Sequence, residues 1–239
     1  MLKILYFVAL TYGISSFAKV STPQELKERL INISKEFQDK DNDSIVFSST
    51  YLIITNQFIN AMGSGFFSDP HKVQEIICHF GNKYLKHLST PSKEVVSPWR
   101  LSFNADKNKK IKLSTKLLLS MNAHINYDLP FSLSKKLKTR QEWKKFKSDY
   151  FKMNQIFKSS IPLLIENLKR LYDRNALNTF SLKEKIIYLM TKEWRLRAWA
   201  NGFSLYLSGN SKRTRKFIEY QSYLQGKSIL QFRGLIPKI

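Results

Sequence analysis

The sequence predicts an all-α protein, built as a single-domain multi-helix bundle around a central buried helix. Apolar side chains recur at helical spacing through most of the chain. Residues that favour helix starts precede several of these segments. The 239 residues are enough for one sizeable core, and no Gly/Ser/Pro-rich linker divides them. We therefore expect one all-helical domain over residues 19–239.

Residues 1–18 are typical of a signal peptide. Lys3 precedes an apolar run over residues 4–14, and small residues that suit signal peptidase end at Ala18. The run is shorter than the roughly 20 residues that cross a bilayer, so we expect cleavage and export to the periplasm or the medium. The alternative is an uncleaved anchor. No later segment is long and apolar enough to span a membrane.

Helix starts are clearest in the first half of the chain. Thr22 and Asp69 each precede a proline, as an N-cap does when proline occupies the first helical position. The helices predicted here cover residues 23–37, 44–62 and 70–88. Residues 90–110 contain two prolines and a polar run, and they predict a loop across the surface.

The second half is also predicted as helices. The central helix covers residues 112–129, Pro130 stops it, and a short turn runs to Thr139. Residues 141–173 form one long helix or two helices broken at Pro162. The last two predicted helices cover residues 181–207, opened by a capping box at Ser181, and 212–232.

The central segment combines apolar residues with an unusual polar pattern. Between residues 117 and 130, the alternating polar side chains are Ser120, Asn122, His124, Asn126 and Asp128. Alternation fits a strand, but Asn and Asp are poor strand formers and the preceding leucines do not alternate, so we interpret the segment as a helix. His124 and Asp128 then share one face, while Asn122 and Asn126 share another. Buried polar groups are unfavourable unless partnered, so the pattern indicates a polar network or a functional site.

The same segment resembles a known family. The run MNAHINYDLP over residues 121–130 resembles the signature L-L-x-M-N-A-H-I-N-x-D-L-P of an uncharacterised bacterial family of helical proteins, a domain of unknown function. The run RAWANG over residues 197–202 is similar to an Ala-Trp segment near that family's C-terminus. The resemblance covers most of the chain after residue 18. It implies an all-helical fold and no established activity.

His124 and Asp128 are four residues apart, a spacing at which both side chains can reach one metal ion from a helix. The pair is similar to the H-x-x-x-D zinc ligands of the helical phospholipase C and P1-type nuclease family. That resemblance implies a divalent metal such as zinc as cofactor. His71, His79 and His87 follow each other at eight-residue spacing, too far apart to share one ion. A single one of them could supply a third ligand, and we take His79.

Three interpretations of His124 and Asp128 stay open. As catalytic residues of a metal-dependent hydrolase, they would activate a bound water toward phosphoesters of phospholipid or nucleic acid. They could instead support metal-free catalysis or ligand binding. As a structural network they would set helix register, with Arg197 as the counter-charge of Asp128. The residues expected to bind beside them are Asn122, Asn126, Arg197 and Trp199.

The charge of the chain is strongly positive, since 40 Lys and Arg against 18 Asp and Glu give a net +22. Such a field favours anionic lipid head groups or nucleic acid, whereas the wide spread of the lysines also fits a solvated surface. We expect no sequence-specific nucleic-acid binding, because zinc-finger spacing and RNA-recognition signatures are missing. Cys78 is the only cysteine, which excludes an intrachain disulfide, and we expect it to be a small buried hydrophobe.

Overall fold

The computed structural model of the protein describes residues 19–171 and 183–231. Over these residues the chain is an all-α, single-domain bundle without strands, which confirms the predicted fold class. A π-helical segment, Ala123–Asp128, lies between α5 and α6. The α-helices are α1 (Pro23–Asp39), α2 (Ile45–Gly63), α3 (Pro70–Ser89), α4 (Ser97–Asp106), α5 (Leu113–Asn122), α6 (Leu129–Lys136), α7 (Arg140–Leu171), α8 (Lys183–Leu207) and α9 (Lys212–Gln231). The predicted signal peptide and the capping residue Ser181 lie outside the described residues.

The two predicted N-caps form as expected. Thr22 Oγ1 accepts a hydrogen bond from the Glu25 backbone N–H at 3.1 Å, and Asp69 Oδ1 accepts one from the Lys72 N–H at 2.9 Å. Each satisfies a backbone donor that the first helical turn leaves without an intrahelical partner. Local sequence therefore determines where α1 and α3 begin.

The loop predicted over residues 90–110 is wrong, because α4 forms within it. Pro98 lies in the first turn of this helix, where its missing N–H and fixed φ are compatible with helical structure. The helix places Trp99 in the core, where it is completely buried. This helix carries one of the side chains of the candidate site.

The predicted stop at Pro130 is also wrong. The backbone N–H of Leu129 bonds to the carbonyl of His124, five residues back, and the chain then continues directly into α6. Pro130 lies in the first turn of α6, so the widened π turn lets the chain pass a proline without a loop. Pro162 likewise lies inside one continuous helix, α7.

The π segment lies at the centre of the bundle, which confirms a central buried element carrying the signature. It packs against α3, α4, α8 and α9 as well as the two helices that flank it. Gly202 allows α8 to approach closely, because a Cβ there would lie 3.1 Å from the Pro130 carbonyl oxygen and 3.1 Å from the Trp143 ring. Across the described ranges, no helix has both the length and the apolar character needed to cross a bilayer.

Candidate functional site

The carboxylate of Asp128 is the centre of the buried polar network. It is fully buried and accepts three hydrogen bonds from ring N–H groups. His87 Nε2, on α3, lies 3.0 Å from Oδ1. His124 Nδ1 in the π segment and Trp99 Nε1 on α4 lie 3.0 and 2.8 Å from Oδ2. The network therefore joins the π segment to two neighbouring helices.

The protonation states of the network follow from its burial and charges. Burial by itself raises the pKa of Asp128, but the two bonded histidines bring that pKa well below its ordinary value. An ionised carboxylate only accepts hydrogen bonds, so His87 Nε2 and His124 Nδ1 both carry protons. Burial lowers the pKa of His124 despite the bond to Asp128, which favours the neutral imidazole. In this tautomer the Nε2 atom of His124 is an acceptor.

The imidazole of His124 is held rigidly. Its ring stacks on Phe80 with centroids 3.5 Å apart, and the Tyr51 ring meets it at a steep angle with centroids 4.8 Å apart. The aromatic neighbours fix the plane of the imidazole ring. The hydrogen bond to Asp128 fixes the orientation of the ring within that plane. The Nε2 atom is buried and has no hydrogen-bond partner. His124 therefore presents one fixed acceptor to the interior of the protein.

His124 lines an apolar cavity of about 70 Å³ between α2, α3, the π segment, α7 and α8. Three residues of α2 also line this cavity, and each has a buried hydroxyl without a hydrogen-bond partner: Thr50, Tyr51 and Thr55. Buried polar groups without partners are rare, because each forfeits the hydrogen bonds it made with water. Among the described side chains there are five such atoms, and four of them belong to residues that line this one cavity.

A second, larger cavity of about 300 Å³ lies on the other side of the network. His87 lines it, together with Ser44, Arg100 and Asp106. Asp128 thus connects a histidine at one cavity with a histidine at the other. Burial raises the pKa of Asp106 to about 6, although Ser44 and Lys116 act against this effect.

Asn122 and Asn126 form the second polar stripe that the sequence predicted. Asn122 Nδ2 donates to the Ser222 carbonyl on α9 at 2.9 Å, and Asn126 Nδ2 donates to Asn122 Oδ1 at 2.9 Å. Neither side chain lines the two cavities. These two asparagines connect the π segment to α9, while His124 faces the apolar cavity.

The structure does not bring together the predicted metal ligands His124, Asp128 and His79. His79 Nδ1 lies 3.0 Å from the Ser132 hydroxyl, and it is His87 that reaches Asp128. Burial, with nearby lysines, lowers the pKa of His79 to about 4. Within residues 19–171 and 183–231, no three His, Cys, Asp or Glu side chains are placed to share a metal ion. The expected set fails because α3 presents its last turn, not its middle, to the carboxylate.

Arg197 and Trp199 also lie elsewhere than predicted. Arg197 pairs with Glu193 one turn earlier on α8 and bonds to Gln225 on α9, so it is not the counter-charge of Asp128. Trp199 packs against the rings of Trp143 and other aromatic residues of α7. The register of α8 turns both side chains away from the π segment.

Sequence reasoning missed several side chains that the structure places at the site. Trp99 was hidden in a predicted loop, and His87 was one of three equivalent histidines. Arg195 could not be recognised as a site residue from the sequence, since Arg is common in amphipathic helices. The hydroxyls of α2 could have been noticed, because α2 is predominantly apolar and hydroxyl-bearing residues within such a helix are unusual.

The arrangement is suited to hydrogen bonding and proton transfer. A carboxylate that holds the Nδ1–H of a neutral imidazole leaves Nε2 to accept a proton or a hydrogen bond, as a general base does. The Asp128 carboxylate would stabilise the imidazolium that such a transfer forms. The apolar walls exclude water, which strengthens any hydrogen bond made inside the cavity.

Comparison with known proteins places most of the chain in one family. Searches of curated proteins and of solved structures each found no match. A family model with the description "Family of unknown function (DUF5995)" matches residues 24–232, which is most of the chain. The match confirms the expectation of an uncharacterised family, and the protein belongs to DUF5995.

Proposed function

We propose that the protein binds a small, mainly apolar molecule in the cavity next to the π segment, with His124 Nε2 accepting a hydrogen bond from the ligand. The observation that carries this proposal is that four side chains around one apolar cavity each have a buried polar atom without a partner. A folded chain gains nothing from leaving them unsatisfied. A ligand with a hydroxyl or N–H group supplies the missing partner.

The size and chemistry of the cavity restrict the ligand. At about 70 Å³ it is smaller than the roughly 150 Å³ cavity that admits benzene in another protein, so a ligand of a few non-hydrogen atoms fits without movement of the walls. Half-buried Phe157, Ile187 and Tyr188 line it, which gives longer ligands a route toward the surface between α7 and α8. We therefore expect short aliphatic ligands to bind first.

Butan-1-ol and its isomer 1-methoxypropane test the proposal directly. They have the same number of atoms, but only the alcohol can donate a hydrogen bond. One hydrogen bond to a buried, unpartnered acceptor contributes about 1–1.5 kcal/mol, so the alcohol should bind about tenfold more tightly. Titration followed by ¹⁵N NMR of the imidazole should show the His124 Nε2 resonance moving with the alcohol.

A matched pair of variants controls this experiment. His124→Phe removes the acceptor and should abolish the preference for the alcohol. His79→Gln alters a histidine that does not line the cavity and should leave the preference intact. Equal affinity of the wild-type protein for the two isomers, or no binding of either, would contradict the proposal.

The geometry supports ligand binding better than the metal-dependent hydrolase considered from the sequence. His124 already donates to Asp128, so two of the expected ligands are engaged with each other. The third, His79, bonds to Ser132 and lies apart. Acid–base chemistry by His124 on a bound ligand needs no further residue and follows from the same geometry.

A second function, docking onto an anionic lipid surface, is favoured by α9. Phe217, Tyr220 and Leu224 form one stripe along this helix and are 56 %, 60 % and 45 % exposed. Arg213, Lys216 and Lys227 are exposed beside the stripe on the helical wheel. Exposed apolar residues flanked by cations are typical of helices that lie in the interface of an anionic bilayer.

Vesicle flotation tests the docking proposal. Vesicles with about one third phosphatidylglycerol should carry the protein, neutral phosphatidylcholine vesicles should not, and added salt should weaken binding because it screens the charges. The triple variant Phe217→Ser, Tyr220→Ser, Leu224→Ser should lose binding. Ile31→Ser, at an exposed position on α1, is the control. Equal flotation of the triple variant and the wild-type protein would overturn the proposal. So would the finding that the stripe joins two copies of the chain, with a wild-type dimer that the triple variant converts to a monomer and no dependence on lipid.

We also propose that the protein is exported after cleavage near Ala18. The support is the pattern of residues 1–18. N-terminal mass spectrometry of protein recovered from outside the cytoplasm should find a chain that begins near Lys19. Recovery of the chain with Met1 retained would argue for the uncleaved anchor.

A further inference from the structure

A charged side chain, Arg195 on α8, lines the same apolar cavity as His124. It is only 3 % exposed. Its Nε donates to Asn154 Oδ1 at 2.8 Å, and one terminal nitrogen, Nη2, donates to the Tyr150 carbonyl at 2.6 Å. The guanidinium also lies over the rings of Tyr150 and Phe157. These contacts orient the group without neutralising its charge.

No anionic partner for Arg195 exists among the side chains that the structure describes. Its hydrogen bonds go to a neutral amide and a backbone carbonyl, and no described carboxylate forms an ion pair with it. Burial accordingly lowers the pKa of Arg195. A buried cation without a counter-charge is strongly unfavourable in a folded protein, since removal from water is not offset by a Coulomb interaction. Arg195 is therefore a buried cation at the cavity whose charge no described side chain balances.

We infer that Arg195 anchors the carboxylate of the ligand, so the cavity takes small apolar carboxylic acids in their anionic form. The inference rests on the proposed function and names its ligand class. A guanidinium presents N–H groups in a plane that matches a carboxylate, and Nη1 has no hydrogen-bond partner among the described residues. The apolar body of the acid then fills the space between α2, α3 and α7, and His124 accepts from a hydroxyl that the acid carries.

The charge of the residues that line the cavity explains why a carboxylate and not a phosphate is the expected group. Arg195 is the one cation lining the cavity among the described residues, and the other lining side chains are aliphatic, aromatic or hydroxyl-bearing apart from His124. A single positive charge balances one carboxylate, whereas a phosphate monoester would bring further charge into an apolar space. The walls thus select a singly charged head group.

Butyrate and butyramide test the assignment, because they have nearly the same shape and differ in charge. At pH 7 the wild-type protein should bind butyrate at least tenfold more tightly than butyramide. Arg195→Gln should remove this preference while butan-1-ol still binds, which shows that the cavity has folded. Arg195→Lys keeps the positive charge and should retain a preference for butyrate.

The outcomes separate this inference from the proposed function. Equal binding of butyrate and butyramide to the wild-type protein overturns the inference alone, provided that butan-1-ol is still preferred over 1-methoxypropane. Retention of the butyrate preference in Arg195→Gln also overturns it, because another group must then recognise the charge. If none of the four probes binds, the proposed function and the inference both fail.

Discussion

Two buried polar clusters lie in this bundle, and they differ in how completely their polar atoms are satisfied. Around Lys116, the ammonium donates to an Asp43 carboxylate oxygen and to the Asp106 carbonyl, Lys109 bonds to the other Asp43 oxygen, and Ser44 bonds to Asp106. No buried side-chain nitrogen or oxygen there is without a partner. Around Asp128 the carboxylate is equally well satisfied, but the far nitrogen of His124 is not.

This difference separates a structural network from a candidate site. A closed set of donors and acceptors stabilises the packing of helices and has nothing left to offer a ligand. An open set, with unpartnered atoms on the side chains that surround a cavity, is incomplete until something binds. Burial and charge alone do not distinguish the two clusters as candidate functional sites, since both contain ionised groups in the core.

The largest expected effect is the loss of the Asp128 charge. In Asp128→Asn an amide N–H₂ faces donors from two histidines and Trp99, so we expect a loss of about 3–5 kcal/mol in the free energy of unfolding. Arg197→Ala should cost under about 1 kcal/mol, since its partner Glu193 is half exposed. Chemical denaturation of both single variants and the double should show additive losses. A strong coupling would mean that Arg197 and Asp128 interact after all.

The residues of the cluster around Lys116 should be strongly coupled to one another in stability. Lys116→Met leaves the buried Asp43 with only the exposed Lys109 as partner and should cost about 2–4 kcal/mol. Adding Asp43→Asn should recover part of this loss, because the uncompensated charge disappears. A double-mutant cycle measures the coupling, and additive losses would show that the buried pair contributes nothing as a pair.

Two carboxyl groups, Asp106 in one cluster and Asp128 in the other, should make stability respond to pH with opposite signs. Asp106 has a folded-state pKa raised to about 6, so the folded state holds its proton more tightly than the unfolded state. Its contribution therefore increases stability as pH falls from about 7 to about 4, by about 2–3 kcal/mol in total. The lowered pKa of Asp128 gives stability that is present above about pH 4 and lost below it.

Stability curves from pH 3 to 8 check this prediction. The difference between the wild-type protein and Asp106→Asn should slope between pH 4 and pH 7, with the wild-type protein gaining relative stability as pH falls. Asp39→Asn, on the exposed surface of α1, is the control and should give a flat difference. A flat difference for Asp106→Asn as well would show that its carboxyl titrates as in the unfolded chain.

The smallest expected effect distinguishes hydroxyls on the same helix. Thr55→Val removes an unpartnered hydroxyl with little change in shape, and should raise stability by about 1 kcal/mol. Ser49→Ala removes a hydroxyl that bonds to the Ile45 carbonyl and accepts from Asn167, and should lower stability by a similar amount. Thermal melts of the two variants check the opposite signs. A loss in Thr55→Val would mean that its hydroxyl is already satisfied.

The predictable parts of the fold are those set by neighbours in sequence. The N-caps at Thr22 and Asp69, the helical spacing of apolar residues and the shared face of His124 and Asp128 all depend on contacts within a few residues. The errors at Pro98 and Pro130 have a common cause. Proline often interrupts a helix, but Pro98 occupies the first turn of α4, where its missing N–H has no intrahelical partner to lose. Pro130 directly follows the widened π turn, which lets the helix continue past it.

By itself the sequence determined that this chain is helical and that buried polar groups lie in its central element, because periodicity and polarity are local properties. Only the tertiary structure decided that His87 and Trp99, not Arg197 or His79, reach Asp128. It also decided that Thr50, Tyr51 and Thr55 of α2 surround the cavity that His124 and Arg195 also line. Such contacts join residues tens of positions apart, and they depend on the rotation and register of packed helices, which side-chain packing across the whole core determines.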